Sequence, residues 1–288
     1  MTVREFYQNT SKPIISFELF PPKSDAAMDN LREILPDLVQ LRPDFFTVTY
    51  GALGSTQERT LEIATLIQNT HKLPTACHLT CVGSTRDDLD RILDQIQESG
   101  IRNIVALRGD PPKGETTFVA PKDGLGHANE LVEHIRARER AGKIGPIGIA
   151  VAGYPEKHIE APDMAADLQN LKRKVDAGAD CVVTQLFYDN RHYFSFVKAA
   201  RELGITVPII PGLLPIISAK QVMRITSMCG SCLPGDLQRD LEAAGDDPAK
   251  SEEIGVRQCI RQATELIEKG VPGIHFNVLN RSAHMTRI

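Results

Sequence analysis

Along this 288-residue chain, short apolar runs repeatedly end in side chains that could do chemistry. The first carries Glu18 within Ser16-Phe17-Glu18-Leu19-Phe20-Pro21-Pro22. A carboxyl at an inward position near a strand end is desolvated, which raises its pKa and lets it donate a proton near neutrality. The plainer alternatives are a solvated strand-end carboxylate or half of a structural ion pair. Later runs end in Thr49-Tyr50-Gly51, contain His78 and Thr80, end in Arg108-Gly109-Asp110, end in Tyr154-Pro155-Glu156 with His158 beyond, contain Thr184-Gln185, and end in Asn280-Arg281. In Arg108-Gly109-Asp110, glycine allows close backbone approach, arginine offers a fork to phosphate or carboxylate, and aspartate can pair with a cationic or amide-like ring edge. A structural Arg–Asp pair accounts for the same residues equally well.

Asp167, Asn170 and Lys174 fall at i, i+3, i+7 on one helix face, with Arg173 beside them. Such a face is usually solvated; it becomes a phosphate and ribose site only if it tilts over the strand ends. Cys229-Gly230-Ser231-Cys232 lacks the second ligand pair that zinc requires, since His275 and His284 are remote in sequence, and a redox pair would need a different fold context. We read these as ordinary cysteines and assign no metal.

The elements that must position these groups follow from periodicity. Strands are predicted over Ile14–Leu19, Phe45–Thr49, Thr75–Thr80, Asn103–Leu107, Gly148–Ala152, Cys181–Phe187, Val207–Ile210 and Gly273–Leu279. Helical spacing lies between them, as in Leu31, Ile34, Leu35 and Leu38; Leu89, Ile92, Leu93 and Ile96; Leu168, Leu171 and Val175; and Ile260, Ala263 and Ile267. Glycines at 100, 178, 204 and 270 follow such runs as left-handed caps. Eight β-then-α units with nearly continuous apolar strands indicate a (β/α)8 TIM barrel in one domain, residues 1–288. A doubly wound sheet would announce itself with a Gly-rich turn after its first strand, and G-x-G-x-x-G is absent. The polar stretch 231–250 reads as an insertion between two helices before the last strand. In a barrel the C-terminal strand ends form the active face, and seven of the eight runs deliver a polar group there.

Composition excludes other classes. The chain is 42% apolar and 24% charged, with a net charge of −4 and a pI near 6.1. It has no basic block for nucleic acid, no apolar run long enough for a membrane span and no apolar leader. Six irregularly spaced cysteines suit a reducing cytoplasm better than a disulfide framework;.

The motifs in this order resemble the flavin-dependent 5,10-methylenetetrahydrofolate reductase family of bacteria. The resemblance covers essentially the whole chain. It is carried by Ser16–Pro22, Val48–Gly51, His78–Cys81, Ala106–Asp110, Tyr154–His158, Asp167–Ala179, Thr184–Phe187, Pro211–Pro215 and Leu279–Arg281. It implies a TIM barrel holding FAD on its C-terminal rim. The reaction it implies is reduction of 5,10-methylenetetrahydrofolate to 5-methyltetrahydrofolate with NADH or NADPH, by ping-pong hydride transfer through flavin N5. The product would feed methionine synthesis and one-carbon metabolism. By the same resemblance Glu18 is the general acid, and Asp110 lies beside flavin and pterin to stabilise an iminium cation. Gln185, Gln221 and Arg281 hold folate, and Thr49 and Gln185 lie near the nicotinamide. Tyr50, Ala52, His78, Arg108, Gly109, His127, Ala128, Tyr154, His158, Ala161, Asp167, Asn170, Arg173 and Lys174 contact FAD, which turns the solvated-face reading of the 167–174 cluster into a cofactor site. The resemblance further implies a cytoplasmic homo-oligomer.

The chain departs from the family pattern at His127, where a tyrosine is common, at Asn277, where a tyrosine often follows His-Phe, and at Ile225, where some members have phenylalanine. Two other readings are the same folate chemistry fed by a partner electron-transfer protein, and a non-catalytic folate- or flavin-binding barrel. The choice between NADH and NADPH has no ribose-sensing motif to decide it. After the last strand only Asn280–Ile288 follow, room for about two helical turns;. The final helix is therefore expected to be short, either because the chain is cut short relative to its relatives or because the eighth helix is vestigial and another element, such as a neighbouring subunit, covers the gap.

Overall fold

The apolar runs become parallel strands in the computed structural model, which describes residues 1–8, 11–50, 57–111 and 118–288. They are β1 (Ile14–Leu19), β2 (Phe45–Val48), β3 (Thr75–Thr80), β4 (Asn103–Leu107), β5 (Gly148–Gly153), β6 (Cys181–Thr184), β7 (Ile209–Ile210), β8 (Gly212–Leu213) and β9 (Gly273–Asn277). Their order in one sheet is β7-β6-β5-β4-β3-β2-β1-β9-β8. Helix α1 (Val3–Gln8) precedes β1. The covering helices are α2 (Asp25–Gln40), α3 (Gln57–His71), α4 (Arg86–Glu98), α5 (Ala128–Arg140), α6 (Met164–Asp176), α7 (Asn190–Glu202), α8 (Ala219–Cys229), α9 (Gly235–Ala244) and α10 (Pro248–Glu268). The TIM barrel inferred from alternation is the observed architecture.

The seventh strand differs from expectation. It is two short pieces, β7 and β8, either side of Pro211; β7 pairs with β6 and β8 with β9, so this one segment closes the ring. Proline has no N–H for a ladder. Its carbonyl instead accepts from His275 N–H at 3.0 Å, and Gly212 N–H turns to Thr184 Oγ1 at 2.9 Å. Strands β2, β6 and β9 stop before Thr49, Gln185 and Val278. The apolar residues past β6 pack beneath helices instead: Phe187 joins the main core, and Leu186 joins a smaller cluster with Val222 and Leu237.

Most helices bury the predicted stripes. Leu89, Ile92, Leu93 and Ile96 of α4 are all buried, and its Thr85–Asp88 capping box fixes the start. Gly100, Gly178, Gly204 and Gly270 are left-handed as expected. On α10 the stripe is shifted. Ile260 and Ile267 are exposed, and Val256, Cys259, Ala263 and Leu266 face the core. The 231–250 stretch is a helical insertion: Leu237, Leu241 and Ala244 of α9 are buried, and Asp247 caps α10. After β9 comes a three-residue 3-10 turn, Met285–Arg287.

Helix α1 was not foreseen. Its Val3 and Phe6 are buried against Ile14, Phe45, Ala76, Val105, Ala150, Cys181 and Ile210, most of them at or near the strand starts, and Phe6 stacks on Phe45 with ring centroids 5.1 Å apart. The N-terminal end of the barrel is thereby plugged, and the polar groups gather at the other end.

Closure at β7–β8 has a steric requirement. A Cβ on Gly212 would lie 2.1 Å from the Thr184 carbonyl oxygen, a backbone atom that cannot swing away. Gly212→Ala should destabilise the fold by about 1–3 kcal/mol or more. Urea unfolding checks this, and an unchanged midpoint would show that closure does not depend on that contact.

Candidate active site

Four neighbouring strands converge on one carboxylate. Glu18 on β1 lies opposite Thr47 on β2, and Ser16 lies opposite His275 on β9. His78 projects from β3, on the far side of β2. The Glu18 side chain is only 12% exposed, and a single oxygen, Oε2, meets three groups. Thr47 Oγ1 donates to it at 3.4 Å, His275 Nε2 lies at 3.2 Å, and His78 Nε2 at 3.1 Å. The His78 contact is close but off the line of a good hydrogen bond. On the far side of the buried His275 ring, Nδ1 lies 2.8 Å from Ser16 Oγ. For His275 to donate to a carboxylate, its proton must sit on Nε2, and in the neutral ring Nδ1 then accepts from Ser16.

This geometry corrects the expected direction of the Glu18 pKa. Burial by itself pushes the carboxyl up, but the positive-side influence of the two histidines, the close approach of His78 and the hydrogen bond of His275, outweighs it. The net effect holds Glu18 well below the ordinary carboxylate value;.

Two cavities of about 330 Å³ each open on this face. The first gathers Glu18, Tyr50, His78, Arg108, Gly109, Asp110, Tyr154, His158 and Gln185 from the sequence-derived set, and adds Thr47, Thr80, His275 and Asn277. Thr80 Oγ1 is buried here without a partner among the described residues. Gln185 Oε1 accepts from Leu186 N–H at 2.9 Å, which leaves its amide hydrogens for a ligand. The second cavity gathers His127, Ala128, Ala161, Asp167, Asn170, Arg173 and Lys174, and shares Arg108, Tyr154 and His158 with the first. The α6 face does tilt over the strand ends. Thr49, Gln221 and Arg281 lie outside both cavities, and Ala52 and Gly51 lie outside the described residues.

The second cavity suits a phosphorylated group. Arg108, Arg173 and Lys174 supply cations, and α5 starts there with no side-chain cap on its backbone N–H groups;. Arg108 is locked in plane: its fork meets Glu160 at 2.6 and 2.8 Å, and its guanidinium lies 5.1 Å over the Phe118 ring. His158 Nδ1 accepts from Glu160 N–H at 3.1 Å, which leaves Nε2 to carry the proton in the neutral ring. Burial, the largest influence, keeps its pKa below the ordinary histidine value. Asp167 accepts from His158 N–H at 3.0 Å and so shapes the loop. Lys174 donates to the Ala152 carbonyl at 2.5 Å, and burial lowers its pKa to about 8 against the opposing pull of Asp167.

Sequence reasoning missed Ser16, Thr47, His275 and Glu160. Alternation along Gly273–Asn277 puts His275 and Asn277 on one side, but only barrel closure shows that this side faces Glu18.

Fold and site together define a (β/α)8 barrel in which a groove lined by Arg108, Arg173 and Lys174 adjoins a cavity holding a buried carboxyl group. Within that class the chain belongs to the methylenetetrahydrofolate reductase family, whose sequence profile matches residues 3–288. It is 41% identical over 275 residues to methylenetetrahydrofolate reductase (NADH) 1 of Arabidopsis thaliana, covering 92% of this chain and 46% of that protein. It is 37% identical over 268 residues to the 5,10-methylenetetrahydrofolate reductase of Escherichia coli K12, covering 93% and 86%. The chain thus spans about half the length of its plant relatives. The fold resembles that of a Clostridium thermocellum protein that binds two copies of 5-methyl-5,6,7,8-tetrahydrofolic acid, with a TM-score of 0.64, 18% identity, and 99% and 95% of the two chains covered.

The Glu18 environment fixes the sign of a pH effect. A carboxyl with a depressed folded-state pKa adds stability that is fully present above its unfolded value, about 4.5, and is lost as pH falls toward the folded value;. The stability difference between wild type and Glu18→Gln should therefore shift against the wild type as pH falls below about 4.5;. Urea titrations across that range measure it, and a pH-independent difference would contradict the depressed pKa.

Proposed function

We propose that this chain reduces 5,10-methylenetetrahydrofolate to 5-methyltetrahydrofolate, with FAD in the two joined cavities and NADH or NADPH as donor. The observation that carries this reading is the Glu18 carboxylate, buried between two imidazoles at the floor of the cavity that also holds Asp110 and Gln185, in a chain of this family. The residues suit FAD. Arg108, Arg173, Lys174 and the α5 N-terminus would meet its phosphates, and Tyr50, Arg108, Gly109, His78 and the unpartnered Thr80 hydroxyl would line its ring system. When bound, FAD supplies the two-electron chemistry that links nicotinamide to the one-carbon unit.

Opening the five-membered folate ring to a cationic iminium needs a proton on the departing nitrogen. Glu18 is placed to give it, although its carboxyl is anionic in the open site. Covering the cavity with a flat substrate removes water, and the buried carboxylate then becomes costlier than the carboxylic acid, which favours uptake of a solvent proton by Glu18 as the substrate binds, while the Ser16–His275 pair holds Oε2;. Asp110 stabilises the cation, and the free Gln185 amide orients the pterin.

As expected outcomes, purified protein should be yellow and bleach anaerobically with NAD(P)H, and methylenetetrahydrofolate should restore the colour. Failure to restore it would rule out the reductase. Bleaching with a dye but not with NAD(P)H would point to a partner electron donor. Glu18→Gln should keep bleaching by NAD(P)H and lose about 10²–10⁴-fold in folate reduction. Stopped-flow absorbance separates the two half-reactions, and equal loss in both would remove the acid role.

A further inference from the structure

A carboxylate stands among the cations of the second cavity. Glu160 lines it together with Arg108, Arg173 and Lys174. Arg173 donates to the neutral Asn170 Oδ1 at 2.9 Å and Lys174 to a backbone carbonyl, whereas Arg108 gives both ends of its fork to Glu160, at 2.6 and 2.8 Å. A negative charge beside a groove that suits phosphate opposes phosphate binding by Coulomb repulsion. Stability does not account for the pair either. The Glu160 side chain is 48% exposed, and a half-exposed ion pair adds little to folding;.

The pair supplies direction. Arg108 lines both cavities, so it stands at their seam. Its Nε donates to the Gly109 carbonyl at 3.1 Å, its terminal nitrogens meet Glu160, and its face lies 5.1 Å over the Phe118 ring. A second hydrogen on each terminal nitrogen is left for a ligand, in a plane that the Glu160 carboxylate sets. The loop between β5 and α6 is built to hold Glu160 there. Lys157, at φ 78°, donates to the His158 and Ala161 carbonyls at 3.1 and 2.6 Å. Ala161 N–H donates to the His158 carbonyl at 2.9 Å, and Glu160 N–H donates to His158 Nδ1 at 3.1 Å. Asp167 of α6 accepts from His158 N–H at 3.0 Å, so the loop is tied to the helix that carries Arg173 and Lys174.

We propose that Glu160 is a positioning residue that sets the plane of Arg108 against Arg173 and Lys174, so that all three meet the phosphate-bearing arm of FAD together. This rests on the FAD reading above. An untethered arginine samples many rotamers and must be ordered as its ligand binds; one already held loses no such freedom then. The fixed direction outweighs an added negative charge that is half open to water, where Coulomb interactions are weakened.

The sign of one substitution separates direction from charge. Glu160→Gln removes the negative charge and breaks the fork, because an amide offers Arg108 one acceptor oxygen where the carboxylate offered two. A residue acting through its charge alone would give tighter FAD binding in this variant. Positioning gives the opposite, a rise of about tenfold in the FAD dissociation constant. The measurement is titration of the apoprotein with FAD and with riboflavin, which has the same ring system and no phosphate, followed by flavin fluorescence, with the thermal midpoint read alongside. The riboflavin constant and the midpoint should hold. Glu160→Asp keeps a carboxylate and should lose less than Glu160→Gln. Arg108→Ala should weaken FAD binding by itself, and adding Glu160→Gln to it should bring no further loss. FAD binding that is unchanged or tighter in Glu160→Gln, an equal loss with riboflavin, or a further loss in the Arg108→Ala background would each overturn the proposal. A wild type that binds no FAD would instead overturn the reading on which it rests.

Discussion

A negative charge set inside the mouth of the barrel places demands on every strand around it. An uncompensated carboxylate there would be neutralised or would unfold its surroundings, because desolvation of an isolated charge is far more costly than a hydrogen bond is worth. The compensation comes from three strands at once: Thr47 on β2, His78 on β3 and His275 on β9. These groups reach the same Oε2 only because β9 and β2 flank β1 in parallel register, with Ser16 beside His275 and Glu18 beside Thr47. The register also explains why His275 carries a second partner. A buried imidazole with one nitrogen on Glu18 needs its other nitrogen satisfied, and Ser16 is the adjacent hydroxyl;.

The two ends of the barrel divide the work between stability and chemistry. At the N-terminal end α1 fills the opening with Val3 and Phe6, and Arg4 pairs with the buried Asp180, which also takes Arg136 and the Ile149 N–H. At the C-terminal end polar groups occupy the same interior column, and cavities replace apolar packing. Closure at Pro211–Gly212 joins the two regimes. There Gly212 N–H donates to the Thr184 hydroxyl and the Pro211 carbonyl accepts from His275 N–H.

The second cavity gathers positive charge locally in a protein that is acidic overall. The chain carries a net charge of −4, so no long-range field draws phosphate in;. Arg108 at the end of β4 and Arg173 and Lys174 on α6 concentrate positive charge over a short span. The loop between β5 and α6 is held in shape by interactions that cost conformational freedom. Lys157 adopts φ 78° and donates to the Ala161 and His158 carbonyls, and Asp167 holds the His158 N–H. Glu160, projecting from the same loop, keeps the Arg108 fork in one plane. The cations are presented rigidly and their donor directions are set before a ligand arrives.

Much of this was legible in residue order. Alternation of apolar runs and helical stripes determined a parallel barrel, because strands buried on both faces must be apolar throughout and helices bury only one stripe. Glycines after the stripes marked helix ends, since left-handed caps favour them. The strand-end residues Glu18, Arg108, Asp110 and Gln185 were likewise visible, because the C-terminal rim is where such strands stop. What tertiary structure alone decided was adjacency and electrostatic sign. His275, some 257 positions from Glu18, becomes its neighbour only when the ring closes, and that contact, with His78, reverses the pKa shift that burial alone would give. The buried stripe of α10 runs one residue off the apparent periodicity, and only the packing of α7 and α9 against it shows which face is covered. The split seventh strand and the plug at α1 escaped notice because their segments are short, and their stability comes from contacts with distant strands, not from any local pattern.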